Sequence, residues 1–220
     1  LCKKHKFDIV ICDLHLGADN KNGYELIEEL RTRRLINPTS VFILISADSA
    51  RPVVLGSIER RPDDFLIKPF SQVQLKSRIV RAWQKRQFLQ QAFSLIEQGE
   101  CNSAIDHIEA LLDAPSHYKG HCEQLLVELY WRIDQPEKAL DVLRDYIDGK
   151  PVLWAQIAIG KTYLQLKEYE KAIATAKRTL KRNRFNADAH DILAQAYQAL
   201  ATGDKALESI KEAIKLSPYS

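Results

Sequence analysis

The sequence contains no methionine, and none of its apolar runs approaches the roughly 20 residues that a membrane-spanning helix needs. Its four cysteines are scattered, without a C-x-x-C pair, which argues against a disulfide framework and favours buried thiols in a reducing compartment. The formal net charge of +3 is too small to indicate a nucleic acid or an anionic membrane as the partner. No signal-peptide pattern opens the chain. We therefore expect a cytoplasmic protein that binds neither membranes nor nucleic acids.

Three short apolar runs in the first 70 residues indicate β-strands: FDIVIC (7–12), VFILIS (41–46) and DFLI (64–67). They are nearly uninterrupted, as is typical of strands that are covered on both faces. A helical pattern (22–35) follows the first strand, and a weaker one (50–60) follows the second. This alternation predicts an α/β fold, a doubly wound parallel sheet with right-handed crossovers.

An internal repeat occupies the second part of the chain, where the strand signal disappears. A small alanine opens similar phrases such as SAIDHIEALL and KALESIKEAI, and these alanines are spaced by 35, 33 and 34 residues. A leucine or tyrosine stands nine residues before each of them. The alanines are Ala104, Ala139, Ala172 and Ala206, and the preceding residues are Leu95, Tyr130, Tyr163 and Tyr197.

This period of about 34 residues resembles that of tetratricopeptide (TPR) repeats. Gly160, and Pro218 after the last repeat alanine, also fit the TPR pattern. The resemblance implies an all-α TPR solenoid over residues 85–220, with four repeats at about 85–118, 120–152, 153–186 and 187–220. Each hairpin is too small to bury its own apolar face, so stacking supplies the core and leaves a concave surface.

The resemblance also implies that this concave surface binds a protein or peptide partner. The side chains expected to line it include Glu128, Trp131, Trp154, Lys161 and Gln195. Two interpretations of the tryptophans stay open, because they can anchor a partner or pack between helices.

Three polar residues stand at the ends of the three predicted strands: Asp13, Ser46 and Lys68. In an open parallel sheet the ligand site lies outside the carboxyl ends of the strands, so these residues can converge. A carboxylate can attack phosphorus as a nucleophile, while an ammonium and a hydroxyl hold the phosphoryl oxygens. Taken singly, each residue is more often an ordinary turn or loop residue.

The strand ends FDIVICD, VFILISA and DFLIKPF resemble those of the receiver domain of two-component response regulators. The resemblance implies that Asp13 accepts a phosphoryl group with the help of Mg²⁺, and that Ser46 and Lys68 bind this group. It further implies that Phe65 is the switch aromatic, that the bond before Pro69 is cis, and that the backbone carbonyl of His15 is a metal ligand. The receiver domain would span residues 1–84 and lack its N-terminal strands, so three strands are expected.

The match to the receiver pattern has two departures. The family usually has a proline four residues after the aspartate and a glycine eight residues after it, whereas this chain has Gly17 and Gly23, four and ten residues after Asp13. The acidic pair that binds Mg²⁺ in the family follows a strand that is absent from this sequence. We therefore expect the chain to be part of a longer protein, and Mg²⁺ binding and phosphorylation to require the intact receiver.

Neither glycine nor proline occurs from Ser71 to Gln98. Ser71 is a favourable N-cap, and apolar residues recur throughout the stretch. This predicts a single helix of 28 residues, about 42 Å long, that joins the receiver to the first repeat. The alternative is a break near Arg86 that acts as a flexible hinge.

Two other clusters invite a functional interpretation. His117, His121 and Cys122 have spacings that suit metal ligands, but no fourth ligand has a useful spacing, which favours an ordinary repeat junction. The basic run KRTLKRNRF invites a nucleic-acid interpretation, but a solvated helix C-terminus explains it better because cations are stabilised there.

The leading hypothesis is a response regulator of a two-component phosphorelay. A histidine kinase or phosphotransfer protein would phosphorylate Asp13 in the intact protein, and the receiver would then control protein binding by the repeats. The alternative is a phosphorylation-independent TPR scaffold that uses the receiver as a dimerisation module, so a homodimer stays open. A turnover enzyme is not expected, because no catalytic constellation lies outside the receiver.

Overall fold

The protein, represented by a computed structural model, is described over residues 5–17, 22–47, 61–149 and 152–216. The weak helix expected over 50–60 and the proline at 218 lie outside these residues. The chain divides into two compact units, residues 1–118 and 119–220. The first predicted repeat, 85–118, therefore lies in the same unit as the sheet, and the boundary expected after residue 84 stays a prediction.

The first unit contains the predicted parallel sheet. Its strands are β1 (Ile9–Asp13), β2 (Val41–Ser46) and β3 (Asp64–Ile67), in the spatial order β1-β2-β3. Both pairings are parallel, so the expectation of three parallel strands is confirmed. The central strand β2 is buried along nearly its whole length. Among the described residues, no strand pairs with the outer edge of β1.

The first unit also contains α1 (Gly23–Thr32), α2 (Gln72–Phe88), α3 (Gln90–Gln98) and α4 (Cys101–Leu112). Side chains of β2 alternate between two apolar clusters, as the period of a strand requires. Phe42 and Leu44 pack in the cluster that includes the buried side chains of α1. Val41 and Ile43 pack in the other cluster, with Ala82 of α2. Both faces of the central strand are thereby covered.

The prediction of one continuous helix from 71 to 98 was wrong. Helix α2 ends at Phe88 and α3 begins at Gln90, and the backbone of Leu89 between them has φ −95° and ψ 10°. The hydrogen bonds Leu89 N to Lys85 O (3.1 Å) and Phe93 N to Leu89 O (3.0 Å) continue across the interruption. Leu89 is 2% exposed. The interruption is therefore a single residue with a buried side chain, within a continuing helical hydrogen-bond pattern.

A buried ion cluster surrounds Asp63, the residue before β3, whose side chain is 2% exposed. Arg86 of α2, equally buried, donates from Nε to Asp63 Oδ1 at 2.6 Å. The Phe42 backbone N–H donates to Asp63 Oδ2 at 2.9 Å. Arg31 of α1 and Lys85 of α2 each place a cationic nitrogen 3.8 Å from the same carboxylate. The cluster therefore joins β2, β3, α1 and α2.

The same cluster reaches α3 within this unit. The Arg86 guanidinium lies 4.3 Å from the centre of the Phe93 ring, a cation–π contact. Arg34, just after α1, donates from Nη2 to the Glu97 carbonyl at 2.7 Å. Helix α3 is therefore attached to the sheet region by specific polar contacts as well as through its chain connection to α2.

The second unit is helical in its described parts, as the repeat pattern predicts. Its helices are α5 (Lys119–Arg132), α6 (Pro136–Val142), α7 (Arg144–Ile147), α8 (Leu153–Gln165), α9 (Tyr169–Arg182), α10 (Ala187–Ala199) and α11 (Gly203–Leu216). A Cβ added to Gly160 would lie 2.9 Å from Ile192 Cδ1, so a side chain there would have to displace this methyl group where α8 and α10 meet.

One turn geometry recurs with the period of the sequence repeat. Five residues before each repeat alanine, a residue adopts the left-handed region, with φ between 55° and 86°. The backbone N–H of the following residue donates to the carbonyl of the leucine or tyrosine that stands nine residues before the repeat alanine, as in a Schellman helix end. The left-handed residues are Gly99, Asp134, Lys167 and Ala201.

We predict that Asp63→Asn destabilises the protein by about 3 kcal/mol, because it leaves the charge of Arg86 buried without its counterion. Urea unfolding measures the change. Asp64→Asn is the matched control, since its partners Arg78 and Arg81 are 37% and 64% exposed, and it should cost at most about 1 kcal/mol. Equal losses in the two variants would contradict the importance given to the Asp63 cluster.

We predict that Ala201→Gly stabilises the protein by about 0.5–1 kcal/mol, since glycine tolerates the left-handed conformation that alanine adopts there at a cost. Ala174→Gly makes the same chemical change at an exposed position inside α9, where it should destabilise by a similar amount. Thermal unfolding of both variants tests this, and changes of the same sign would refute the assigned turn conformation.

Candidate functional site

The parallel register brings the three predicted strand ends to one edge of the sheet. Asp13 ends β1 and pairs with Ile45, and Ser46 ends β2. The ladder continues for one residue beyond the outer strands, since Leu14 N donates to the Ile45 carbonyl at 2.7 Å and Lys68 N donates to the Ser46 carbonyl at 2.8 Å. Asp13, Ser46 and Lys68 therefore lie on three adjacent strand ends.

Asp13 and Lys68 are in direct contact. Lys68 Nζ donates to Asp13 Oδ2, and the His15 backbone N–H donates to Asp13 Oδ1 at 3.1 Å. The Lys68 hydrogen bond, followed by that from His15, lowers the pKa of Asp13 below its usual value. The side chains of Asp13 and Lys68 are 37% and 46% exposed. The site therefore presents an ionised carboxylate, accessible to solvent, beside a fixed ammonium.

The remaining predicted receiver residues surround this pair in different ways. Ser46 is fully buried, on the strand between those that position Asp13 and Lys68. Phe65 is half-buried and packs against the cluster that contains Cys12 and Leu14, the two neighbours of Asp13 in the sequence. The Lys68–Pro69 peptide bond is cis. His15 is exposed, and its backbone N–H is the group that contacts Asp13.

Gly23 is a site residue to which the sequence analysis gave no role. Its N–H donates to the Leu14 carbonyl at 2.9 Å. A Cβ at this position would lie 2.4 Å from Leu44 Cδ2 and 2.9 Å from the Asp13 carbonyl oxygen. Only glycine lets α1 begin so close to the strand that carries the carboxylate. The available signal was a glycine directly after an asparagine N-cap, and Asn22 does cap α1.

The described residues do not assemble a metal centre. They contain no group of three or more histidine, cysteine, aspartate or glutamate side chains placed to hold an ion. Both carboxylate oxygens of Asp13 already accept hydrogen bonds, from Lys68 and His15. In the cluster of His117, His121 and Cys122, burial raises the pKa of the Cys122 thiol to about 11.

The predicted partner-binding residues of the second unit are mostly engaged with their neighbours. Trp131 Nε1 donates to Thr162 Oγ1 at 3.1 Å, and the Trp154 ring meets the Tyr146 ring edge-on at 5.0 Å. Lys161 pairs with Asp188 at 2.8 Å. Both tryptophans contact neighbouring helices and are half-buried, and their role in partner binding stays a prediction.

The other two members of the predicted set lie on α10 and α5. Gln195 is exposed and donates to Asp191 Oδ2 at 2.8 Å, within one turn of α10. Glu128 is half-buried on α5.

No described helix is both long and apolar enough to cross a bilayer.

We predict that Lys68→Ala raises the pKa of Asp13 toward the unperturbed value of about 3.9. The folded-state pKa of Asp13 is lowered, so the stabilisation from its ionised form holds above the unfolded-state pKa and is lost as the pH falls through the folded-state pKa. Carboxyl ¹³C shifts followed by NMR titration report the change. Lys76→Ala, an exposed position on α2, is the control, and equal titrations in both variants would show that the Asp13–Lys68 contact does not form in solution.

Comparison with known proteins identifies both parts of the chain. A model of the response regulator receiver domain matches residues 1–80, and a model of the tetratricopeptide repeat matches residues 155–186. No curated protein matches the chain.

The structure is similar in fold to solved structures of MamA. A crystal structure of MamA has 23% identity and a TM-score of 0.50, and the match covers 58% of this chain and 74% of that one. A MamA RS-1 ArsTM double mutant has 17% identity and a TM-score of 0.52, with 62% and 76% covered. MamA 41-end from Desulfovibrio magneticus RS-1 has 17% identity and a TM-score of 0.51, with 62% and 75% covered. At these identities the likeness concerns the fold alone.

The strand-end motifs, the repeat turn and the two family models agree: the chain carries a response regulator receiver domain at residues 1–80 and a tetratricopeptide repeat at residues 155–186.

Proposed function

We propose that the protein is a response regulator of a two-component phosphorelay whose output is protein binding by its repeats. The observation that carries this proposal is the ionised Asp13 carboxylate held by Lys68 at the carboxyl edge of the sheet, with Ser46 on the strand end between them. The proposal takes the three strands as part of a doubly wound receiver sheet.

The proposed reaction is transfer of a phosphoryl group from a phosphohistidine to Asp13. A carboxylate oxygen of Asp13 forms the new P–O bond while the P–N bond of the donor breaks, and the imidazole leaves with the electron pair and takes up a proton. Lys68 and Ser46 would hold the phosphoryl oxygens during transfer. A histidine kinase or a phosphotransfer protein would supply the donor.

Receiver domains typically bind Mg²⁺, which would supply positive charge at the transferring group. We expect the same of the intact receiver, with Asp13 and the His15 carbonyl as ligands. Since the described residues do not assemble a metal centre, no step of this proposal depends on the ion.

The route from the site to the output is proposed through β3 and α2. Phe65 would move inward when Ser46 is drawn to the phosphoryl group. Asp63, two residues earlier, is fixed to Arg86, and Arg86 contacts Phe93 of α3. A shift of β3 would therefore act on α3 through contacts within one unit. The repeats would respond by a change in partner affinity or exposure.

A second candidate is a phosphorylation-independent TPR scaffold in which the receiver region mediates dimerisation. One observation favours it. Ile9 and Ile11 on β1 are 41% and 42% exposed, and no described strand pairs with the outer edge of this strand. An exposed strand edge with apolar side chains is a surface on which a second chain can pair.

We predict that acetyl phosphate labels the full-length protein in the presence of Mg²⁺ and that Asp13→Asn abolishes the labelling. Lys68→Ala should slow it by roughly 100-fold, since it removes a donor to the transferring group. Asp8→Asn is the control, because this exposed residue precedes β1 at the far end of the strand and should label normally. Phosphate-affinity electrophoresis and mass spectrometry measure the label.

Labelling that persists in Asp13→Asn, or no labelling at all, contradicts the response-regulator proposal and leaves the scaffold. Sedimentation of the same samples then tests that candidate directly. A scaffold of this kind sediments as a dimer without phosphate donor, and Ile11→Asn should convert it to a monomer.

A further inference from the structure

A small apolar pocket opens at one end of the α8–α9 hairpin, where α8 begins and α9 ends. Its volume is about 190 Å³. The lining residues are Leu153, Gln156, Arg178, Thr179, Arg182 and Asn183. Leu153 is 49% exposed although it is a large hydrophobic side chain. The pocket therefore exposes apolar surface to water in the free protein, which is unfavourable, and a partner that covers this surface gains the corresponding free energy.

The uncharged polar side chains that line the pocket are already hydrogen-bonded within the protein. The Gln156 side-chain amide donates to the Tyr146 carbonyl at 3.1 Å. The Thr179 hydroxyl donates to the Thr175 carbonyl at 3.1 Å. Asn183 Oδ1 accepts the Phe185 N–H at 3.2 Å. A ligand group inside the pocket consequently gains by apolar contact rather than by hydrogen bonding.

The rim of the pocket carries cations that have no ion-pair partner among the described residues. Arg178 and Arg182 line it from one face of α9, four residues apart, and both are exposed. Lys181 in the last turn of α9 and Arg184 just after the helix are also exposed. Lys171 on the same helix is, by contrast, paired with Glu168. Guanidinium groups at this spacing suit carboxylates, which they bind in a bidentate manner.

The size and lining of the pocket decide between ligand classes. A volume of about 190 Å³ lies below the roughly 300 Å³ at which small-molecule sites begin, so it suits one apolar side chain. A single-stranded nucleic acid would need an aromatic platform for its bases. No lining residue is aromatic, and the nearby Phe185 ring is covered by the Arg184 guanidinium at 4.5 Å.

We propose that this pocket and its two arginines bind an acidic peptide segment of a partner protein. One leucine-like side chain of the segment enters the pocket beside Leu153, and carboxylates on either side pair with Arg178 and Arg182. This surface adds to the proposed function a second protein-binding site with a stated chemistry. This site can be tested independently of the proposed phosphorelay, because neither Asp13 nor the predicted concave-face residues take part in it.

Fluorescence anisotropy with defined probe peptides tests the proposal on the full chain. The probe has one leucine between pairs of glutamates, and two matched peptides carry serine for leucine or glutamine for every glutamate. We expect the probe to bind at least roughly tenfold more tightly than either matched peptide, the loss expected for one charge-assisted hydrogen bond or one buried side chain.

Matched variants locate the binding surface. The double variant Arg178→Glu with Arg182→Glu, and separately Leu153→Gln, should each weaken the probe by roughly tenfold. Lys211→Glu with Lys215→Glu reverses the same charge at the same spacing on exposed positions of α11 and should change little. Asp13→Asn and Lys161→Ala should also leave binding unchanged, which separates this test from that of the phosphorelay. Circular dichroism checks that each variant is folded.

Three results would overturn the proposal: equal binding of the leucine and serine peptides, equal binding by the pocket and α11 variants, or no binding of the probe at all. Displacement of the probe by a short oligothymidine that binds more tightly, with a steeper dependence on salt, would instead assign the basic surface to nucleic acid.

Discussion

The arrangement of the first unit depends on one buried carboxylate. Asp63 is shielded from water together with the guanidinium of Arg86, and taking both ions out of water costs several kcal/mol unless their geometry and remaining hydrogen bonds are good. That condition holds only while β2 supplies the Phe42 N–H and α1 and α2 supply their cations. Moving α2 alone would take both Arg86 and Lys85 from the Asp63 carboxylate and leave it buried without its closest cation. The cluster therefore ties the start of β3 to α2, with Arg31 of α1 as a more distant contact.

The Asp63 cluster lies between the candidate site and helix α3. It contacts the strand that leads to Lys68, and its Arg86 contacts Phe93 of α3. Strand β3 begins next to Asp63 and leads directly to Lys68, so the ammonium that holds Asp13 is anchored only a few residues from the ion cluster. The same Arg86 that satisfies Asp63 also contacts Phe93 in α3. A perturbation at the strand ends thus has a short path of packed, charged groups to the first helix pair, whereas an unstructured hinge would have absorbed it.

Sequence patterns predicted the parts of this structure whose signal is local or periodic. Three apolar runs gave the strands, and their parallel order was enough to bring Asp13 next to Lys68. The repeat period predicted a series of helical hairpins, and the structure adds that one turn geometry recurs with this period, for example at Lys167 and Ala201. Asp63 was overlooked because an aspartate before a strand looks like a turn former, and its cations come from two separate helices. The interruption at Leu89 was missed because no glycine or proline marks it in the sequence.

The two tryptophans illustrate why binding surfaces are the hardest part to predict. From sequence, an aromatic side chain on the first helix of a repeat suits either a partner or the neighbouring helix, because both offer apolar surface. In the structure the Trp131 indole N–H donates to Thr162 and the Trp154 ring meets Tyr146, while both side chains stay half-buried, so these contacts alone do not decide between the two roles. Exposed cations differ from these tryptophans because water satisfies them without any protein contact. Solvation lets them stand unpaired on a surface at little cost, so a run of basic residues beside an apolar pocket persists in the free protein and keeps its full attraction for an acidic partner.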